Sequence, residues 1–339
     1  IMDAYGRNDV FEEMYGYDNS DFTDYLKEKG FYVADSSFAN YNKTVLSIPS
    51  SLQMTYFDSL ASELGYDSED QKPLLQLIDK NRTSQNLKSF GYTSFAFDAP
   101  ILPYLFMESA DLFYHTPGAY VNLFENELLN NSVIRAFKRK QAESNVDEYE
   151  HHRKKILKAF EKIVAVSKRE EPYYVHGHIL APHQPFVFDA DGGAVQPKHH
   201  YTCWHPIEDG RDPDEYRLEY IEQLKFINKK LIETVDAILA NSVEPPIIII
   251  QGDHGPCAEL TNTKTLEGNN FKERMPILNA FYFPDQDYSP LYPDISPVNN
   301  FRVIFNEYFG MNYPLLPDSA FYSTWTHNYD FYNVTEAIR

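Results

Sequence analysis

The sequence predicts an α/β fold in which helices sandwich a mainly parallel central sheet. The run from Ile247 to Ile250 places four β-branched residues in a row, and such a run cannot alternate between a buried and an exposed face. It is typical of a parallel strand covered on both sides. Residues 214–240 form the clearest predicted helix, because their apolar side chains recur every three or four positions. The alternation of strands and helices along the chain indicates a single sheet in one domain.

The predicted elements follow one another in an order that suits this architecture. Strands are predicted for the opening residues up to Asp3 and for residues 31–34, 91–97, 173–180 and 247–250, and helices for residues 50–64, 75–87, 146–168, 214–240 and 299–309. Two regions are set apart within the single domain 1–339. Residues 100–145 are rich in aromatic side chains and are expected to form an insertion packed over the site. Residues 286–339 are expected to form a C-terminal subregion that contains the last helix.

Composition excludes several classes of function. The 30 Lys and Arg residues are outnumbered by 50 Asp and Glu residues, which gives a formal charge of −20 and argues against nucleic acid as a partner. No stretch approaches the roughly 18 apolar residues that a transmembrane helix needs. The chain opens on what reads as the last residues of a strand, so we expect an upstream segment that is absent from this sequence.

The first candidate site follows the isoleucine strand. Asp253 and His254 stand between two glycines in the segment 252–255, at the carboxyl end of the strand, where open α/β sheets bind ligands. A carboxylate and an imidazole together suit a divalent metal ion. If the opening strand lies beside the isoleucine strand, Asp3 converges on the same edge of the sheet. The alternatives are a polar turn at 252–255 and a helix cap or turn role for Asp3.

The second candidate site is the hydroxyl-rich segment from Thr44 to Ser51 at a predicted helix start, with Pro49 expected near the first turn. A helix N-terminus offers free N–H groups and partial positive charge to an anionic ester. A Thr or Ser alkoxide stabilised there by a metal ion could attack phosphorus or sulfur. The alternative is that Ser47 or Ser50 simply caps the helix.

The third candidate site is a group of histidines. His176 and His178 fall on one face of a predicted strand, because side chains alternate with a period of two. His183 follows in a turn with a proline on each side, Pro182 and Pro185, and these prolines restrict the direction of the imidazole. A single histidine would more often belong to the core, but this clustering favours a functional site.

Together these motifs resemble the sulfatase-like branch of the alkaline phosphatase superfamily, which includes relatives of lipoteichoic acid synthase and the phosphoethanolamine transferases. The resemblance extends from Asp3 to the segment 296–302 and implies an alkaline-phosphatase/sulfatase-like fold. It implies that Asp3 is the metal ligand of the first strand and that Asp253 and His254 are the late ligand pair. Thr44 would also touch the metal, because the segment 44–49 matches the Thr-x-x-Ser-x-Pro spacing of the phosphoethanolamine transferases. The metal would be Mn, Zn or Mg, with Ca also compatible.

The same resemblance implies roles for the remaining polar residues. Thr44 would be the nucleophile, and His183, with His178, would protonate or bind the leaving group or help to hold a second metal ion. Lys43, Ser47 and His176 are the expected substrate-binding residues. The sequence departs from true sulfatases after Ser50, where Ser51 replaces the arginine of the formylglycine signal.

The function expected from these features is metal-dependent hydrolysis or transfer of phosphoglycerol- or phosphoethanolamine-type phosphate esters through a covalent Thr44 intermediate. Two alternatives stay open: a sulfuric ester hydrolase that uses Ser47, and a non-catalytic protein that binds a glycan or lipid head group. The expected substrate is a small-molecule or a lipid- or glycan-linked phosphate or sulfate ester. The expected location is the extracytoplasmic face of a bacterial cell membrane, reached through a segment absent from this chain.

Overall fold

The computed structural model describes residues 1–97, 107–114, 145–199, 211–259 and 265–339. Its strands are β1 (Met2–Asp3), β2 (Tyr32–Val33), β3 (Thr93–Phe97), β4 (Leu112–Tyr114), β5 (Tyr173–His176), β6 (Ile179–Pro182), β7 (Ile248–Gln251), β8 (Asn279–Tyr282), β9 (Phe321–Tyr322) and β10 (Tyr332–Asn333). The predicted insertion at 100–145 lies largely outside the described residues.

The helices lie between and after these strands. They are α1 (Asn8–Tyr15), α2 (Ser20–Glu28), α3 (Thr44–Gln53), α4 (Asp58–Leu64), α5 (Lys72–Asp79), α6 (Arg82–Ser89), α7 (Asn145–Val166), α8 (Pro213–Asn241), α9 (Phe271–Arg274), α10 (Pro297–Phe309) and α11 (Thr335–Ile338). Within the described ranges, no helix combines the length and the apolar character needed to cross a bilayer.

Parallel pairing brings the ends of three central strands together. β1 pairs in parallel with β6, and Met2 forms a parallel bridge to Gly252, the residue directly after β7. β3 pairs in parallel with both β4 and β5. The predicted mainly parallel α/β sheet is therefore confirmed. Antiparallel pairing also occurs, because β8 runs antiparallel to both β7 and β2, and β9 runs antiparallel to β10.

The isoleucine strand is covered on both faces, as its sequence predicts. Ile248 and Ile250 pack in the core cluster that contains Tyr220 and Leu224 of α8. Ile247 and Ile249 pack on the opposite side against the cluster that contains Ile304 of α10. Successive side chains of a strand point to opposite faces, so an unbroken apolar run is what two covering layers require.

The structure corrects several predicted boundaries. Residues 50–64 are not one helix: α3 starts at Thr44 and ends at Gln53, and Met54 takes the left-handed conformation with φ of 56° before α4 begins. Pro49 consequently lies inside α3 rather than in its first turn. The predicted helix 75–87 is two helices, because Asn81 interrupts it and caps α6 by accepting a hydrogen bond from Ser84 N. The predicted strand 173–180 is likewise divided into β5 and β6.

The glycine after β7 allows two backbones to approach closely. A Cβ atom on Gly252 would lie 2.3 Å from Tyr5 O and 3.2 Å from Ile277 Cβ. We expect Gly252→Ala to lower the free energy of unfolding by about 1–3 kcal/mol, because overpacking forces the backbone to move. Thermal unfolding measures the effect. Gly177→Ala is the matched control, since its Cβ would meet the movable end of Ile163, and equal losses in the two variants would contradict this account.

Buried histidines should make the stability depend on pH. His152 lies buried on α7, its Nε2 donates to Leu180 O at 3.1 Å, and burial lowers its pKa from 6.5 to about 3. Below pH 6.5 the unfolded chain therefore binds a proton that the folded chain does not, and stability falls as the pH decreases toward 3. We expect His152→Gln to remove up to about 2 kcal/mol of the loss between pH 7 and pH 5 in urea titrations. His327→Gln, at a half-exposed side chain, is the control for the exchange of histidine for glutamine. An equal change in that variant would contradict this account.

Candidate active site

Two strand ends bring three ionisable side chains together. Asp3 ends β1, and Asp253 and His254 follow β7, so the parallel bridge at Gly252 sets them side by side. One potential ligand atom from each lies within 4.8 Å of the others, and all three residues are buried. His254 Nε2 is 3.6 Å from Asp3 Oδ1 and 3.4 Å from Asp253 Oδ2. The structure thus produces the convergence that the sequence led us to expect.

The unpartnered atoms of this group fit a metal ion. Asp3 Oδ1 and Asp253 Oδ2 are buried and have no hydrogen-bond partner. His254 Nδ1 lies 3.0 Å from Gly255 O, and because a carbonyl only accepts, Nδ1 carries the proton and Nε2 is an acceptor. Three acceptors therefore face one another, an arrangement that is costly in a buried site without a cation. Two carboxylate oxygens and one imidazole nitrogen suit Mn, Zn or Mg.

The electrostatics of the group agree with that reading. Burial and the nearby Asp3 carboxylate raise the pKa of Asp253 to about 7. Burial and the Arg274 guanidinium hold the pKa of His254 well below its usual range, so the imidazole is neutral and can act as a ligand. A divalent cation would offset the repulsion between the two carboxylates.

The predicted nucleophile lies directly against this group. Thr44 is the first residue of α3, and its Oγ1 is 3.2 Å from His254 Nε2. Since Nε2 is an acceptor, the Thr44 hydroxyl donates. Lys43 precedes the helix in an extended conformation and provides no side-chain cap. The Thr44 hydroxyl therefore lies at a helix N-terminus, which favours anions, and beside the candidate metal ligands.

The alternative capping roles for the two serines are wrong. Ser47 Oγ donates to Tyr41 O at 2.7 Å, and Ser50 Oγ donates to Thr55 O at 2.8 Å. Both side chains are buried inside α3. The Ser47 hydroxyl is thus bound to the Tyr41 carbonyl, although the sulfatase-like alternative needs it as a nucleophile.

The histidines occupy different positions around the group. His178 Nε2 lies 3.1 Å from Asp3 Oδ2, so it holds the carboxylate oxygen that does not face His254. The half-buried His183 ring lies 6.2 Å from the His254 ring, centroid to centroid, and its Nδ1 donates to Gln184 O. Burial lowers the pKa of His183. His176 is buried at the end of β5, where burial lowers its pKa to about 3.

The expected substrate-binding residue Lys43 points into the C-terminal subregion. Its ammonium is buried and donates to Thr324 O at 2.9 Å and to Asn328 Oδ1 at 2.8 Å. It also lies 5.4 Å from the centre of the Trp325 ring. Burial and the nearby Arg274 lower the pKa of Lys43 to about 7. The side chain is therefore held by groups of the C-terminal subregion.

Sequence reasoning missed Arg274, which contacts two of the segments that build the site. Its Nε donates to Asn42 O at 2.9 Å, and its Nη1 donates to Gly255 O at 2.9 Å. The residue lies in the short helix α9, where no periodicity or motif marks it. Only the folded chain shows that a side chain from α9 reaches the loops that carry Thr44 and His254.

Comparisons with known proteins relate this geometry to a fold. No family model matches the chain, and no curated protein matches it by sequence. The C-terminal periplasmic domain of EptC from Escherichia coli, in complex with Zn, superposes with a TM-score of 0.58 at 12% identity, covering 98% of this chain and 90% of that chain. The C-terminal periplasmic domain of the phosphoethanolamine transferase EptC from Campylobacter jejuni superposes with a TM-score of 0.53 at 14% identity, covering 93% and 89%.

A sulfatase is similar to a comparable extent. A 2-O GAG sulfatase superposes with a TM-score of 0.55 at 14% identity, covering 92% of this chain and 70% of that chain. The chain therefore has the fold that sulfatases and phosphoethanolamine transferases of the alkaline phosphatase superfamily share, as its motifs predict.

Proposed function

We propose that this protein is a metal-dependent phosphotransferase or phosphodiesterase that acts on phosphoglycerol- or phosphoethanolamine-type esters through a covalent phospho-Thr44 intermediate. The observation that supports it most directly is the Thr44 hydroxyl, 3.2 Å from His254 Nε2 at the start of α3. A hydroxyl at that place adjoins both the candidate metal ligands and a helix N-terminus. The likeness to a zinc complex of an EptC periplasmic domain, and to the periplasmic domain of a phosphoethanolamine transferase, adds support.

The metal ion would be held by Asp3, Asp253, His254 and Thr44, and it would lower the hydroxyl pKa and neutralise the nonbridging oxygens of the ester. His178 would keep Asp3 oriented through its hydrogen bond to Oδ2, as partners of ligating carboxylates do. The first-turn N–H groups of α3 would add electrostatic stabilisation where charge develops.

These positions support a covalent step at phosphorus. Thr44 Oγ1, whose proton would pass to water as the metal lowers the hydroxyl pKa, would attack phosphorus, so that the Oγ1–P bond forms as the bond from phosphorus to the leaving oxygen breaks. His183 would bind that oxygen, or protonate it when the imidazole carries a proton. Burial lowers the pKa of His183, so its protonated form is a stronger acid but a scarcer one at neutral pH. A water molecule or an acceptor hydroxyl then attacks the phospho-Thr44 and releases the threonine hydroxyl. Water completes hydrolysis, and an acceptor hydroxyl completes transfer.

Two further parts of the proposal concern substrate and place. The substrate would be a lipid- or glycan-linked phosphate ester or a related small molecule, and the protein would act at the extracytoplasmic face of a bacterial membrane. Periplasmic domains among the similar structures support the location. A sulfuric ester hydrolase that uses Ser47 is the second candidate, because a sulfatase shares the fold. It is supported less well, since the Ser47 hydroxyl is bound to Tyr41 O.

Replacing Thr44 tests the nucleophile. We expect Thr44→Ala to lower turnover of a nitrophenyl phosphodiester by at least about 10³-fold, in the range seen when an activated nucleophile is lost, while folding and metal binding are largely retained. Thr44→Ser should keep measurable activity because the hydroxyl remains. Ser47→Ala is the matched control and should stay active. Full activity of Thr44→Ala would end the assignment, and peptide mapping for trapped phosphate or formylglycine would show which residue reacts.

Replacing Asp253 tests the metal site. We expect Asp253→Ala to lose stoichiometric metal, because removing one anionic ligand also weakens the field that attracts the cation. Elemental analysis of the purified protein gives the measurement. Glu273→Gln is the control, since this buried carboxylate already accepts hydrogen bonds from Tyr15, Ala258 and Glu259. Retention of stoichiometric metal in Asp253→Ala would place the site elsewhere.

A further inference from the structure

Arg274 links the two loops on which the candidate ligands stand. Its Nη1 donates to Gly255 O, the same carbonyl oxygen that accepts the His254 Nδ1 proton. In return, Gly255 N donates to Arg274 O at 2.7 Å. The Gly255 backbone lies so close to this turn that a Cβ atom would be 2.2 Å from Glu273 O. Arg274 therefore holds Gly255, whose carbonyl orients His254, through both the carbonyl oxygen and the N–H of that glycine.

The Nε atom of the guanidinium contacts the segment that leads into Thr44. Nε donates to Asn42 O at 2.9 Å, and Asn42 stands two residues before Thr44. A rigid planar guanidinium that binds both carbonyls sets the spacing between the His254 loop and the start of α3. That spacing determines whether Thr44 Oγ1 lies within 3.2 Å of His254 Nε2.

Burying the positive charge of Arg274 costs free energy of folding. The side chain is buried and, within the described residues, forms no ion pair at contact distance, although its charge acts on Asp253 and His254 nearby. Burying an unpaired charge is unfavourable, and a cation beside a metal site opposes metal binding. The two carbonyl hydrogen bonds of Arg274 are a geometric contribution that is separate from the effect of its charge.

We propose that Arg274 is a positioning residue that sets the orientation of His254 toward the metal ion and toward Thr44. The inference rests on the proposed function, since it assigns a role in the same site. It predicts that metal affinity depends on the two hydrogen bonds that the planar guanidinium donates to backbone carbonyls, rather than on its charge. A lysine keeps the charge but cannot bind both carbonyls in that geometry.

Zinc alone is the probe, and its affinity is measured by isothermal titration calorimetry with a competing chelator. We expect Arg274→Lys and Arg274→Gln each to weaken zinc binding by about 10–100-fold, the usual effect of losing a partner that orients a ligating histidine. The charge acts in the opposite direction, because removing a nearby cation alone would tighten binding in Arg274→Gln. In a His254→Ala background, neither substitution should change zinc affinity by more than about threefold.

Arg302 offers a matched control. It is also buried and also donates to backbone carbonyl oxygens, those of Met54 and Pro314, but it contacts none of the candidate ligands. Arg302→Lys should leave zinc affinity within about threefold of the unsubstituted protein. Circular dichroism checks that each variant is folded.

The outcomes separate this inference from the proposed function. If the unsubstituted protein binds no metal, the proposed function fails. If it binds zinc but Arg274→Lys binds equally well, or Arg274→Gln binds more tightly, the positioning role is overturned. The role is also overturned by an undiminished effect in the His254→Ala background, by an equal effect of Arg302→Lys, or by failure of both Arg274 variants to fold.

Discussion

The whole site depends on two buried carboxylates beside a neutral imidazole, each carboxylate having one oxygen without a hydrogen-bond donor. Asp3 Oδ1, Asp253 Oδ2 and His254 Nε2 are all acceptors at short range. In a medium of low polarity such a group is stable when one carboxyl is protonated or when a cation is present. The raised pKa of Asp253 reflects burial and the repulsion between the two carboxylates. Because a cation would relieve the repulsion, a metal ion fits here better than at an ordinary polar turn.

The surrounding fold maintains that unfavourable arrangement. Ala4 adopts a positive φ of 59°, rare for a residue with a Cβ atom, and this turns its N–H toward Asp253 Oδ1 at 3.0 Å. Tyr220 on α8 donates to Ala4 O at 2.7 Å, so the strained residue is held from the helical layer. Local strain of this kind persists only where neighbouring groups specify it fully. The long helix thus has a direct part in orienting the candidate ligands.

The C-terminal subregion belongs to the site more closely than its position in the sequence indicates. Asn42 exchanges two hydrogen bonds with the Ser323 backbone, and Lys43 is held by Thr324 and Asn328. The loop that leads into Thr44 is therefore ordered by residues more than 270 positions later. Secure anchoring of that loop is consistent with a nucleophile that must lie accurately beside a metal ion.

The sequence by itself determined the fold class and the principal candidates of the site. The Ile247–Ile250 run and the spacing of α8 report burial, which local residue patterns record directly, and Asp253 and His254 stand at a strand end where ligands bind. The break after Gln53 was invisible in the sequence, because its αL residue is a methionine. It is stabilised by Arg302, which donates to Met54 O from α10. Such contacts between distant segments leave no periodicity to detect.

Tertiary structure alone decided which polar side chains meet. The sequence offered Lys43, Ser47 and His176 for substrate binding, but folding engages Lys43 with the C-terminal subregion and Ser47 with Tyr41 O. It also brings Arg274, which no motif marks, to the loops of Thr44 and His254. The physical reason is that a residue type limits what a side chain can bind, whereas its actual partners depend on which backbone groups the packed layers place within about 3 Å of it.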